Sequence, residues 1–305
     1  MKHISMVYEV QNISEIYSEY ITMTDYETKK SEYFNCKYCG TNNKKRFRSK
    51  AHLIPEFTGN KEWFCYDECD NCNHIFGNYY ENALKNFGAF KNSFLPIKRK
   101  KPHPKYIDGH KKFSIKYRND NTLVMNTSEI GNFFDIENDN IKVSSVTPPF
   151  IPLYVYKCLF KFGLALMNTS DFQKFKSSIP WLLNKDMKIK GNIPYIMLLN
   201  SQTKPVVKPI AILLKRKKEY NSPEYSLVFQ WGFYFFQIFL PFNSLDENLD
   251  YNELKFPVFE NFVIKNNKGN FGLSYYDMDS LSKVKSIYDA NFGLKNFKKI
   301  KSPLI

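Results

Sequence analysis

The clearest periodicity of the 305-residue chain lies in its second half. From Pro152 onward, PLYVYKCLFKFGLALM sets Val155, Leu159, Phe162 and Leu166 at spacings of four, three and four, which draws one apolar stripe along a helix with Pro152 in its first turn. A helix of that kind is expected to dock on a sheet. The stretches 195–199, 210–214, 225–231 and 233–240 are rich in β-favouring residues, are separated by Gly, Pro and Asn, and read as its strands. Residues 111–125 read as two more short strands around the turn Arg118-Asn119-Asp120-Asn121. The aromatic run 231–239 reads as core rather than as a platform for unpaired bases. The first thirty residues mix apolar and acidic positions without a period and fit either a short helix or an edge strand. An α+β class follows.

With 43% hydrophobic residues, including 28 Phe and 21 Tyr, the chain has enough apolar surface for packed cores. Its length suits two domains. We place the boundary at a basic, proline-bearing linker, 93–110, between an N-terminal module, 1–92 with its core at 34–87, and a C-terminal recognition or regulatory domain, 111–305. The formal charge of +14 makes nucleic acid the leading partner class. The N-terminal stretch is interrupted by Glu9, Gln11, Asn12 and Glu15 and lacks the apolar core of a secretory signal. The longest apolar run, 228–242, is shorter than the ~20 residues that span a bilayer. A cytoplasmic location without membrane partners is expected, and nothing in the sequence sets the oligomeric state, a dimer being compatible with it.

Five of six cysteines crowd into 36–72, which in a reducing compartment reads as metal binding before a disulfide framework. Cys36-Lys-Tyr-Cys39 and Cys69-Asp-Asn-Cys72 are two C-x-x-C pairs separated by 29 residues. Each pair puts two thiolates on one tight turn, as tetrahedral zinc requires. Cys65 is a possible substitute for one of the four. Between the pairs stands Ala51-His52-Leu53-Ile54-Pro55-Glu56, and Asn73 and His74 follow the last cysteine directly. A neutral imidazole can take a proton from water near pH 7, which makes His52 a candidate general base for phosphodiester hydrolysis.

This order, C-x-x-C, then AHLIPEFTGN, then CDNCNHIFG, resembles the HNH endonuclease family over about fifty residues. The resemblance implies a ββα-metal module with a structural zinc site, joined here to a C-terminal α+β domain of unknown fold. It implies that Asn73 opens a helix and contributes a ligand to a catalytic divalent ion, its hard amide oxygen suiting Mg²⁺ or Mn²⁺, with His74 as rival. It also implies an asparagine that pins the strand-to-helix loop. Asn60 is best placed for that, and Asp67 is the alternative. Many members carry a metal ligand immediately before the catalytic histidine, where this chain has Ala51. Either Asn73 or His74 then holds the ion with other oxygens such as Glu56 or Asp67, or binding is weak, or catalysis is lost. If 73–87 were a regular helix, His74 and Glu81, seven apart, would share a face, and Glu81 is a candidate carboxylate there against the plainer reading of a solvated position.

Lys44, Lys45, Arg46, Arg48 and Lys50 precede His52 and are candidates for phosphates flanking the scissile one. Further basic clusters lie at 98–101, 215–218 and 295–301. The leading expectation is a metal-dependent endonuclease that hydrolyses DNA rather than RNA, on a plan resembling bacterial restriction or phage-defence effectors. The alternatives are a zinc-ribbon nucleic-acid-binding protein without catalysis, and a nuclease gated by a ligand on the C-terminal domain.

Overall fold

The computed structural model describes residues 13–26, 34–95, 105–117, 122–127, 134–137, 140–189, 195–250, 254–255, 257–259 and 273–293. A short helix α1 (Ile13–Ile16) runs into strand β1 (Tyr17–Thr22). Two-residue strands β2 (Ala51–His52) and β3 (Phe64–Cys65) pair antiparallel. Helix α2 (Asp70–Ile75) continues through a π-helical stretch, Phe76–Glu81, into α3 (Asn82–Asn92), with helical backbone at every junction. Strands β4 (Tyr106–Ile107), β5 (Phe113–Tyr117) and β6 (Leu123–Thr127) form a meander, and β7 (Phe134–Glu137) and β8 (Asn140–Val146) a hairpin.

Helices α4 (Pro152–Leu166), α5 (Thr169–Gln173) and α6 (Ile179–Leu183) come next. The long strands β9 (Ile196–Arg216) and β10 (Tyr225–Phe239) pair along most of their length. On the other edge of β9, β1 covers the C-terminal part and β11 (Leu273–Asp277) the N-terminal part. Strand β12 (Ile287–Gly293) pairs with β8. The architecture is mixed α+β.

The helix expected from Pro152 is present, but it is buried on every face rather than along one stripe. One side packs on β10, where the Tyr156 hydroxyl donates to the Phe239 carbonyl at 2.7 Å. The other side meets the 70–92 helical run, with Tyr80 and Tyr154 rings 5.4 Å apart. Lys157 survives burial because its ammonium donates to the carbonyls of Trp181, Asn184 and Met187 at 2.8, 2.8 and 3.0 Å, closing the end of α6.

The four strand-like stretches of the second half merge into two long strands. Gly232, at φ +58°, lies inside β10 opposite a bulged stretch of β9 instead of in a turn. Opposite it the register moves from Ile210 to Val206 to Ser201, so extra residues of β9, among them Pro205 and Pro209, are taken up in the irregularity. The aromatic run is core: Trp231, Tyr234, Phe235, Phe236 and Phe239 are all buried. A single buried cluster contains the four C-x-x-C cysteines' neighbours Ala51, Leu53 and Phe76 together with α4 and the β9–β10 hairpin. No helix among the described residues is long and apolar enough to cross a membrane.

Candidate active site and metal centre

The four-cysteine cluster is built from two turns brought together by the hairpin and the helix. The Cys36 amide donates to the Thr41 carbonyl and the Gly40 amide to that of Cys36, curling the first pair, with Gly40 at φ +70°. Cys69 caps α2, so the second pair spans its first turn. The four sulfurs lie within 4.8 Å of one another, with Cys36–Cys72 at 3.7 Å and Cys39–Cys69 at 3.6 Å. A tetrahedron with Zn–S bonds of about 2.3 Å has edges of about 3.8 Å, so the donor set fits a structural zinc ion. Contact with Cys72, helped by backbone amides, favours the Cys36 thiolate and lowers its pKa to about 5. Cys65 is not part of the cluster. Its buried thiol, pushed up to about 11 by that burial, lies across the hairpin from Ala51 and 3.9 Å from the Tyr26 hydroxyl.

His52 sits on β2 opposite Phe64, its ring half-buried and 4.7 Å from the Phe64 ring. The loop that closes this hairpin is fixed by Asn60, which is fully buried. The Asn60 amide donates to the carbonyls of Ile54 (2.7 Å) and Trp63 (3.0 Å) and accepts from the amides of Glu62 and Trp63 (both 3.1 Å). Every hydrogen-bonding position of the side chain is used, so this residue holds both ends of the loop. Asp67 instead meets Lys37 at 3.4 Å.

The segment before β2 is clamped by α2. The Asp70 carboxylate accepts from the amides of Arg48 (3.2 Å) and Ser49 (2.9 Å). Asn73 lies one turn further on, its amide nitrogen 3.5 Å from the Ser49 hydroxyl. His74 is exposed, with Nε2 2.8 Å from the Asn78 amide nitrogen. His74 and Glu81 do not keep the two-turn relation of a regular helix, because the π-helical stretch between them inserts i→i+5 turns and rotates the helix beyond it. Burial pushes the Glu81 carboxyl up to about 7, with Lys161 opposing and Glu68 adding to the shift. Position 51 is a core position: Ala51 is 1% exposed and offers no ligand atom.

Lys44, Lys45, Arg46, Arg48 and Lys50 are all exposed. The Asn43 side chain caps the turn at Lys44–Arg46 by accepting from the Lys45 amide at 3.0 Å, and the Lys50 ammonium lies 5.9 Å from the centre of the Phe64 ring. Of the cluster at 215–218, Lys215 and Arg216 are spent on Asp171 and Glu224 at 3.5 and 3.2 Å, while Lys217 and Lys218 are exposed. The clusters at 98–101 and 295–301 lie outside the described residues.

Sequence reasoning missed the groups that tie this site to α4. Lys161, 1% exposed, forms an ion pair with the equally buried Glu68 at 3.1 Å and donates to the backbone carbonyl of His52 at 3.2 Å. Burial works against the ammonium, but Glu68, Cys65 and Glu81 hold its pKa above the ordinary lysine value. The signal was there: Lys157 and Lys161 are four apart in an otherwise apolar helix, and a lysine so placed needs a partner.

A ββα unit with a four-cysteine cluster that fits zinc, and a histidine on the hairpin, defines the class of site. Residues 36–87 match the family model described as HNH endonuclease, so this segment is an HNH module. No curated protein and no solved structure matches the chain. The module makes the chain a nuclease in general terms, with a nucleic acid as its substrate.

Proposed function

We propose that the chain is a metal-dependent endonuclease that hydrolyses DNA phosphodiester bonds, with His52 as the general base. The observation that carries this reading is the way the hairpin is pinned: Asn60 holds its loop and Asp70 the segment entering it, so His52 is presented on a rigid two-residue strand. From there the imidazole takes the proton of the attacking water, with the Phe64 ring packed beside it at 4.7 Å. Asn73 is the residue we assign to a divalent ion, with His74 second. When bound, Mg²⁺ or Mn²⁺ supplies charge neutralisation at the scissile phosphate. The exposed lysines and arginines at 44–50 contact the flanking phosphates and fix the strand without reading its sequence. Joined to a large domain of its own, the module fits a bacterial restriction or phage-defence effector acting inside the cell.

The apolar setting of position 51 favours a second reading, a zinc-ribbon module that binds nucleic acid without cutting it. Incubation of plasmid DNA and of RNA with the purified protein, in Mg²⁺ or Mn²⁺ and beside EDTA, separates the two. Divalent-dependent cutting of DNA, needing more metal in Asn73→Ala, is expected. Retarded but uncut DNA at every metal concentration would establish the binding module instead.

A further inference from the structure

A cavity of about 830 Å³ opens between α3 and the β4–β5–β6 meander, within the ~300–1,000 Å³ range of small-molecule sites. None of the residues assigned to cutting lines it. Its apolar wall includes Tyr106, Phe113 and Trp231, and Lys85, Lys105, Lys111 and Lys112 also line it, against one carboxylate, Asp108. That carboxylate is buried and already accepts the amides of His110, Lys112 and Phe113 at 2.8, 2.7 and 2.8 Å.

These bonds make the 108–112 loop a rigid carrier for two of the lysines. Lys111 is held at φ 63°, a left-handed conformation that a lysine adopts only where its surroundings impose it. Gly109 is pressed against the next segment, since a Cβ there would stand 2.4 Å from the Thr147 carbonyl oxygen. Two donors in the cavity's lining residues, the Asn92 amide nitrogen and the Trp231 indole N–H, have no hydrogen-bond partner among the described residues, although Asn92 and Trp231 are only 7% and 2% exposed. Unsatisfied donors inside a structure call for acceptor oxygens.

We propose that this cavity binds a small organic phosphate of the nucleotide class, its phosphates met by the lysines and its flat apolar part by the aromatic wall. Four cations suit an anion of several charges better than a single carboxylate, and lysine serves as a point-charge phosphate ligand. The size admits one nucleotide and no duplex. Lys85, Ala89 and Asn92 belong to α3, which is continuous with the α2 turn that holds Cys69 and Cys72, so the occupant leans on the same helical run that carries the zinc centre.

The test is calorimetric titration of the full-length, zinc-loaded protein with ATP, GTP, CTP and UTP, beside tripolyphosphate, the free nucleosides and a short single-stranded oligonucleotide. At least one nucleotide is expected to bind more tightly than both tripolyphosphate and its nucleoside. Lys111→Gln with Lys112→Gln should weaken it about tenfold or more, the scale of a lost hydrogen bond to a charged group. Ala89→Trp, which fills the cavity, should abolish it at unchanged zinc content. Binding by none of the four nucleotides, or binding indifferent to both variants, overturns the proposal. So does binding of the oligonucleotide alone, which would give the cavity to a substrate strand. No cutting is read, so the result stands apart from the nuclease assignment.

Discussion

The HNH module and the β9–β10 hairpin share one buried core but hold it by different means. The module has two strands of two residues each and a cluster of four cysteines. The hairpin has strands of 21 and 15 residues, carrying aromatic side chains packed ring against ring, such as Phe229 and Phe236 at 5.9 Å. A short hairpin cannot bury enough surface to order itself, and the cysteine cluster offers a metal site suited to that work, whereas long strands gain order from area. The module's parts are therefore few, close in sequence and individually indispensable. The hairpin's are many and replaceable.

The largest effect expected from that contrast is at the zinc centre. Structural zinc supplies on the order of 10 kcal/mol of apparent folding free energy in small modules, so Cys69→Ser, or chelation, should remove the metal and the cooperative melt of the N-terminal half. Metal analysis with thermal denaturation reads it. An unchanged melt without zinc would show that the shared core alone holds the module.

Next comes Lys161 on α4, the helix packed between the two regions. Lys161→Met strands the Glu68 carboxylate, 3.1 Å from it, in the interior and should cost about 3–5 kcal/mol in urea denaturation, while Lys161→Met with Glu68→Leu should recover much of that. A double variant no better than the single would make the loss one of packing.

These two sites also show what could be read in the chain and what could not. The cysteine pairs, His52, Asn60 and Asn73 lie in one short stretch, where spacing and residue type mark them as candidates without knowledge of the fold. The pairing of Lys161 with Glu68 joins residues 93 positions apart and leaves no local trace beyond a lysine among apolar neighbours. The irregularity at Gly232 was legible as an interruption but not as a bulge of the facing strand β9, since a glycine at positive φ serves both a turn and a strand irregularity. The phase of Glu81 was lost for a similar reason: a π-helical stretch has no signature in the apolar period.

A smaller effect is expected at Asp171, which belongs to the hairpin side. Despite burial, bonds from Lys174 (2.6 Å), Tyr20 and Tyr225 (2.7 Å) hold its carboxyl well below the usual carboxylate range. A depressed folded-state pKa gives stability that is present above the unfolded value of about 3.9 and is lost as pH falls through the folded one. Asp171→Asn should cost about 2 kcal/mol at pH 7 and flatten the acid limb of the stability profile below about pH 4. An acid limb identical in the variant would assign that loss to other carboxylates.

The smallest changes belong to the exposed loop at 44–50. Replacing Lys44 and Lys45 by Gln should leave the melt unchanged and reduce the salt dependence of DNA binding by about 0.9 in log–log slope for each phosphate released. An unaltered slope would move the DNA path elsewhere.

The central claim is that His52 on its pinned hairpin performs the cutting. Its most direct test is the single-turnover rate of DNA cleavage in Mn²⁺ for the wild type and His52→Ala, at matched zinc content. Loss of a general base predicts a fall of about 10²–10⁴-fold with DNA binding retained. A variant that cuts at the wild-type rate would contradict the account.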